Sequence, residues 1–173
     1  RLEAEFGEDV SYIYVNPSQE AIDLAEKFKL KRIFFRNWLN EDELTEFYNK
    51  IDIFAHARRD GETLGVAIGE AMLHECVVAS HKSEYFNEHL FLVREPFGLI
   101  AELDDVDHYY ENLKKFVTNR EQLGFYGEKA RAFASKYFEW ETVARKIIRD
   151  CNDLWHYIDK PLPVHVRLNH KLL

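Results

Sequence analysis

The sequence predicts an α/β fold: a doubly wound parallel sheet with a set of helices at its carboxyl end. Three observations carry that expectation. Short runs of β-branched and aromatic residues alternate with helical patterns from Asp9 to Ala101. The connections between them are short, so each helix serves as a crossover between parallel strands. From Asp105 onward only helical spacing remains. Right-handed crossovers then cover both faces of the sheet.

Each element has its own signal. Asp9 to Val15 reads as the first strand. Asn16-Pro17-Ser18-Gln19 reads as a helix start, with Asn16 as the cap, Pro17 in the first turn and Gln19 completing a capping box. Ala21, Leu24, Ala25 and Phe28 then share one helical face. Lys31 to Phe35 is the second strand. Asn40 and Glu43 form a second capping-box signal, ahead of Leu44, Phe47 and Tyr48. Ile51 to Ala55 is the third strand, and a loop from His56 to Glu62 leads into a helix over about Thr63 to Leu73. Cys76 to Ala79 and Phe97 to Ala101 are the fourth and fifth strands. Asp105 opens a helix carrying Val106, Tyr109, Tyr110, Leu113 and Phe116. Asn119 and Gln122 open the next, and Glu139 to about Tyr157 forms the last. Residues 1–160 read as one domain and 161–173, with Pro161 and Pro163, as an extended tail.

Composition bounds the function. At 173 residues and 46% apolar content, the chain can bury a sizeable core. A formal charge of −8 argues against a nucleic-acid partner, because phosphate backbones select basic faces. A single nucleotide needs only a few local donors and stays open. No apolar run is long enough to span a bilayer, and none reads as a signal peptide. Cys76 and Cys151 each sit in an apolar pattern, which reads as buried free thiols in a reducing, cytoplasmic compartment. The eight histidines are scattered, and no zinc-finger spacing occurs.

Parallel α/β sheets bind ligands at the carboxyl ends of their strands. The loops at Asn16, Arg36 to Leu39, His56 to Gly65 and Ser80 to Ser83 are therefore the candidates. The third is the richest in chemistry: Arg58-Arg59-Asp60-Gly61-Glu62-Thr63-Leu64-Gly65, then Val66 to Met72. A helix beginning near Leu64 offers unpaired amides and the positive end of its dipole to a phosphate. Gly65 permits close backbone approach. Glu62 precedes the helix and Glu70 lies about two turns along. A carboxylate accepts hydrogen bonds from paired hydroxyls, so the two can hold a sugar and a ribose joined through a diphosphate. The same residues also fit a solvated loop ahead of an ordinary amphipathic helix, and chemistry alone leaves both readings open.

Ile51 to Ala79 resembles the signature region of family-four, or group 1, GT-B glycosyltransferases. In that family Glu, seven residues, Glu, then Ala-Met and a Val-Val-Ala strand follow a strand and loop. Glu62, Gly65 and Glu70-Ala71-Met72 stand at the matching positions. The flanks Asn40 to Asp52, Gly98-Leu99-Ile100 and Gln122 to Asp153, with its Phe138-Glu139-Trp140 turn, resemble the family too, so the likeness runs from about Val10 to Leu154. It implies the nucleotide-sugar-binding, Rossmann-like carboxyl-terminal half of a GT-B fold. The implied reaction is retaining transfer from a nucleotide diphosphate sugar, with no required metal and no other cofactor. By position Glu62 would bind the donor sugar and is the candidate catalytic residue. Thr63, Leu64 and Gly65 would lie against the diphosphate, Glu70 would bind the ribose, and Asn37 and Trp38 would lie against the base.

Departures from the pattern mark other residues. Thr63-Leu64 replaces the usual Gly-Phe, and Ser80-His81-Lys82-Ser83 replaces an Asp and glycines. His56 and His81, at strand ends, are candidates for proton transfer or for a hydrogen-bonding wall. Lys82, Arg58 and Arg59 fit either phosphate contacts or solvated cations. His89 reads as a helix-surface residue. The family's first strand is central in its sheet, and its following loop supplies an Arg and a Lys to the diphosphate. The first strand here aligns with the family's second. A fragment of a longer protein, lacking that strand and the amino-terminal acceptor domain, is the expectation; a strand borrowed from another copy is the alternative. Alone, the chain is expected to bind donor weakly and not to turn over. The acceptor, whether glycan, lipid or protein, stays open, as does peripheral membrane association through the full protein. The rival reading is a non-catalytic interaction module that retains the half-fold.

Overall fold

The structure is a computed structural model that describes residues 1–158, with side chains through Asp153. The expected tail at 161–173 lies outside the described residues. The described residues fall into two compact units, Arg1–Ala134 and a second that begins at Ser135.

In the first unit a short helix α1 (Leu2–Phe6) and a 3-10 turn (Gly7–Asp9) precede strand β1 (Tyr12–Val15). Helix α2 (Gln19–Lys27), strand β2 (Ile33–Arg36), helix α3 (Glu41–Lys50) and strand β3 (Ile53–Ala55) follow. Helix α4 (Val66–Leu73), strand β4 (Val77–His81), a 3-10 turn (Glu88–Phe91) and strand β5 (Gly98–Ala101) come next. Helix α5 (Val106–Thr118) leads to helix α6 (Arg120–Phe138), which runs into the second unit, where helix α7 spans Trp140–Ile158. All strand pairs are parallel, as the alternation predicts.

Local chemistry sets most element ends. Asn40 caps α3 with a complete capping box: Glu43 N–H donates to Asn40 Oδ1 at 3.0 Å, and Asn40 N–H donates to Glu43 Oε2 at 2.9 Å. Asp105 caps α5 by accepting from His108 N–H at 2.8 Å. The start of α2 differs from expectation. Asn16 is not the cap, because it turns the chain with a left-handed φ of 52°. Ser18 is extended and accepts from Ala21 N–H at 3.2 Å. Gln19 pairs with Asp23 one turn on instead of closing a box. The first strand begins at Tyr12 rather than Asp9, which belongs to the 3-10 turn.

The strands form two parallel sheets, β1-β2 and β3-β4-β5. Parallel strands turn alternate peptide groups to alternate sides. Tyr12 and Asn16 donate to carbonyls of Arg32 and Arg36, so Ile13 and Val15 turn their peptide groups away from β2. His56 donates to Ala79 O and Asp52 O accepts from Val77, so Ile53 and Ala55 face away from β4. Between these two edges lies a cavity of about 630 Å³, lined by β1 and β3 and by Phe47, Val117 and Leu123.

The core centres on β4, whose residues Val77 to Ser80 are fully buried. Ile68, Ala71 and Met72 of α4, together with Leu92, Val93, Phe97 and Phe116, join it. Each buried Val, Leu, Ile, Met or Phe among them contributes about 1.5–3 kcal/mol of apolar burial. Cys76 is buried with Tyr48 and Ala71, as expected of one thiol. Cys151 is not: it lies exposed on α7, whose apolar spacing does not cover that position.

Candidate functional site

The site is built at the carboxyl ends of β3 and β4. Strand β3 ends at Ala55, His56 turns inward and is buried, and the loop runs out to Gly65. Two glycines shape that loop. Gly61 has φ +77°, and a Cβ there would lie 1.8 Å from the Phe86 carbonyl oxygen. Gly65 is the N-cap of α4 at φ 74°, ψ 51°, and a Cβ there would lie 2.8 Å from His89 Cβ. Only glycine fits a left-handed turn pressed against neighbouring chain.

No side chain caps α4. Gly69 N–H bonds to Gly65 O, so the amides of Val66, Ala67 and Ile68 precede the helical ladder. Val66 and Ala67 line one end of a cavity of about 580 Å³ whose wall also includes Arg58, Glu62, Thr63, Leu64, Gly65 and Glu70. The structure thus brings together five of the predicted donor-site residues. Asn37 and Trp38 lie apart, in a separate cavity of about 310 Å³ with Arg36, Glu46 and Lys50. Trp38 is 81% exposed.

Both glutamates are partly buried and held. Tyr48 donates to Glu70 Oε2 at 3.0 Å, and its ring stacks on His74. Burial and the Glu70 charge push the Tyr48 hydroxyl well above the usual phenol range, so it stays a donor. Glu62 Oε1 lies 3.4 Å from His56 Nε2 and 4.0 Å from an Arg58 guanidinium nitrogen. The Glu62 N–H donates to Phe86 O at 3.2 Å.

The other predicted cations are engaged elsewhere. Arg58 is bidentate on Asp60 at 2.7 and 3.0 Å. Arg59 meets Glu84 and Asp104, and Lys82 meets Glu102 at 2.6 Å. His81 packs its ring edge-on against Tyr109. His89 is the main correction. It is fully buried instead of lying on a helix surface, with Nδ1 3.2 Å from Glu62 O and its ring 4.9 Å from that of His56. Sequence reasoning also missed Tyr48 and Tyr109. Tyr109 donates to the carbonyls of His56 and Ala79, tying α5 to both strand ends. No local signal marks either, since their partners lie 22 to 53 residues away.

Among the described residues no helix is long and apolar enough to cross a membrane. Among them, too, no group of three or more His, Cys, Asp or Glu could hold a metal ion.

The family model for glycosyl transferases group 1 matches residues 15–133. The chain belongs to the group 1 glycosyltransferases. No curated protein is similar enough to match it. Among solved structures, Anabaena Alr3699/HepE in complex with UDP-glucose is 19% identical with a TM-score of 0.69, over 87% of this chain and 43% of that one. Its complex with UDP and glucose gives 19% and 0.70, over 83% and 41%. TarM gives 15% and 0.67, over 86% of this chain and 30% of that one. The chain therefore spans less than half the length of these proteins. The shared feature is the fold: parallel sheets flanked by helices in the Rossmann-like arrangement of GT-B glycosyltransferases.

Proposed function

We propose that this group 1 glycosyltransferase chain is the donor-binding, carboxyl-terminal half of a family-four enzyme. It would bind a nucleotide diphosphate sugar for retaining transfer. One observation carries the reading: Glu62, Glu70 and the uncapped start of α4 line the same cavity. In this reading the diphosphate meets the amides of Val66 and Ala67. Glu70, steadied by Tyr48, takes the ribose hydroxyls, and Glu62 takes those of the sugar and is the catalytic residue. Thr63, Leu64 and Gly65 border the diphosphate. Trp38 and Asn37 would border the base from their own cavity. Stabilising the departing diphosphate is the main electrostatic task. No metal and no other cofactor is part of the proposal. The solved HepE complexes with UDP and UDP-glucose favour a uridine nucleotide as the first donor to try.

The cavity between β1 and β3 supports a further part of the reading. A strand from elsewhere in the complete protein would join the two sheets there and carry the missing cations nearby. The chain alone would then bind donor weakly and not turn over, and residues 1–160 would act as one donor domain. A cytoplasmic location belongs to the same proposal, as does a role in polysaccharide or glycoconjugate synthesis. One observation favours the rival of a non-catalytic module. Arg58 is the only cation lining the Glu62–Glu70 cavity among the described residues, and Asp60 already occupies it.

Calorimetric titration of the complete protein with UDP, GDP and UDP-glucose tests the reading. Glu70→Ala is expected to weaken UDP itself by about tenfold or more. Glu62→Ala is expected to weaken UDP-glucose while leaving UDP nearly unchanged. Equal effects of both changes on bare UDP would contradict these roles. No nucleotide binding would favour the interaction module.

A further inference from the structure

His56 is a buried ring between two groups that dictate how its proton is placed. Its Nε2 faces Glu62 Oε1 at 3.4 Å and its Nδ1 faces Ser80 Oγ at 3.1 Å. Burial, reinforced by the neighbouring His89, holds His56 below the ordinary imidazole range, so the ring is neutral near pH 7. An ionised carboxylate only accepts hydrogen bonds. The single ring proton therefore belongs on Nε2, donated to Glu62. Nδ1 is left as an acceptor, and the Ser80 hydroxyl donates to it.

Every element packed there fits this assignment. Ser80 is fully buried in β4, so it has no access to a substrate and serves the ring alone. His89 presses on the His56 ring from the 3-10 turn at Glu88–Phe91 and holds the Glu62 backbone through Nδ1, while its Nε2 has no partner. Tyr109 of α5 fixes the His56 carbonyl at 3.1 Å. His81 from β4 adds a repulsive field, and Glu62 the principal attractive one. Of the remaining charges nearby, Arg58 is bidentate on Asp60, and its third guanidinium nitrogen stands 4.0 Å from Glu62 Oε1.

We propose that His56 is a positioning residue for the sugar-reading glutamate: as the Nε2–H tautomer, locked by Ser80 and braced by His89, it orients the Glu62 carboxylate toward the donor's hydroxyls. The inference rests on the donor reading above and adds to it the residue that orients the sugar-binding carboxylate. It explains why a histidine stands at a buried strand end where an apolar side chain would pack at lower cost.

Two measurements on the complete protein test it. Nitrogen-15 imidazole NMR without ligand should show His56 protonated at Nε2 only, and Glu62→Gln should move its ring signals. A ring protonated at Nδ1, or averaging between tautomers, would overturn the proposal. Calorimetry should show the affinity ratio of UDP-glucose to UDP falling about tenfold in His56→Leu, with UDP itself unchanged. His56→Gln, whose amide still donates to Glu62, should recover most of that ratio. A ratio retained in His56→Leu, or an equal loss for both ligands, would refute the inference alone. If His56→Leu does not fold, the glutamine variant and the tautomer decide. Should the unaltered protein show no preference for UDP-glucose, the donor reading falls, and this inference with it.

Discussion

The two sheets are built from similar residues and end up in different environments. β1 and β2 read Tyr-Ile-Tyr-Val and Ile-Phe-Phe-Arg, yet Tyr14, Phe34 and Phe35 are exposed. β4 reads Val-Val-Ala-Ser-His, and its first four residues are fully buried. Apolar composition makes a strand, but burial depends on what covers it. β4 has hydrogen-bonded neighbours on both sides, with α4 and α5 packed against it. The candidate site stands on this better-covered sheet. Ser80 lies in β4, and His56 and the Glu62 loop follow directly on β3, so packed strands anchor the base of the loop that carries the site.

A charge placed in each sheet should separate the two most widely. Val78→Asp buries an unpaired carboxylate in β4 and should cost more than about 3 kcal/mol in denaturant unfolding. Phe34→Asp on exposed β2 should stay within about 1 kcal/mol. Equal losses would mean that the two sheets form one core.

Glycine substitutions give the next effect. Gly61→Ala meets both a left-handed backbone and the Phe86 carbonyl, so about 2–3 kcal/mol should be lost along with UDP-glucose binding. Gly7 has a similar φ of +58° with nothing within 4 Å. Gly7→Ala should therefore show backbone strain alone, about 1–2 kcal/mol and less than Gly61→Ala, measured by the same unfolding curve.

Alkaline pH should act through the covered sheet. Burial pushes the Cys76 thiol up to about 12 and raises the hydroxyls of Tyr48 and Tyr109. The folded state then holds these protons at pH values where the unfolded chain has lost them. Stability is full below the unfolded pKa values and falls as pH rises above about 9. Denaturation midpoints from pH 8 to 10.5 should show the decline. A thiol reagent at pH 8 should modify exposed Cys151 quickly and reach Cys76 only on unfolding.

The smallest effects belong to helix caps. Asn40→Ala removes a reciprocal pair at α3 and should cost about 1 kcal/mol. Ser18→Ala, which removes one hydrogen bond at α2, should cost about half as much by thermal unfolding.

Elements whose cause is local were legible in the sequence. The Asn40–Glu43 box and the Asp105 cap need only residues three apart, and both formed. At Asn16 the same local logic chose the wrong cap, because a left-handed turn at Asn16 passed the role to Ser18. The Glu62–Gly65–Glu70 set was visible because one loop and one helix carry it. What supports it was not. Tyr48 reaches Glu70 from α3, and His89 reaches Glu62 from 27 residues away. His89 therefore read as a surface residue. Cys151 read as buried because helical spacing shows which positions are apolar but not which ones a neighbour covers.

Sequence alone was enough for the parallel α/β class, the strand-and-helix order, and the placing of Glu62 and Glu70 on either side of the start of a helix. Those features follow from periodicity, turn chemistry and spacing, which act over a few residues. Only the tertiary structure decided that the strands form two sheets with facing open edges, that Asn37 and Trp38 occupy a different cavity from the glutamates, and that His56, Ser80 and His89 converge on Glu62. Those outcomes depend on packing between segments far apart in the chain, where hydrogen-bond partners and burial are set by neighbours that no local pattern names.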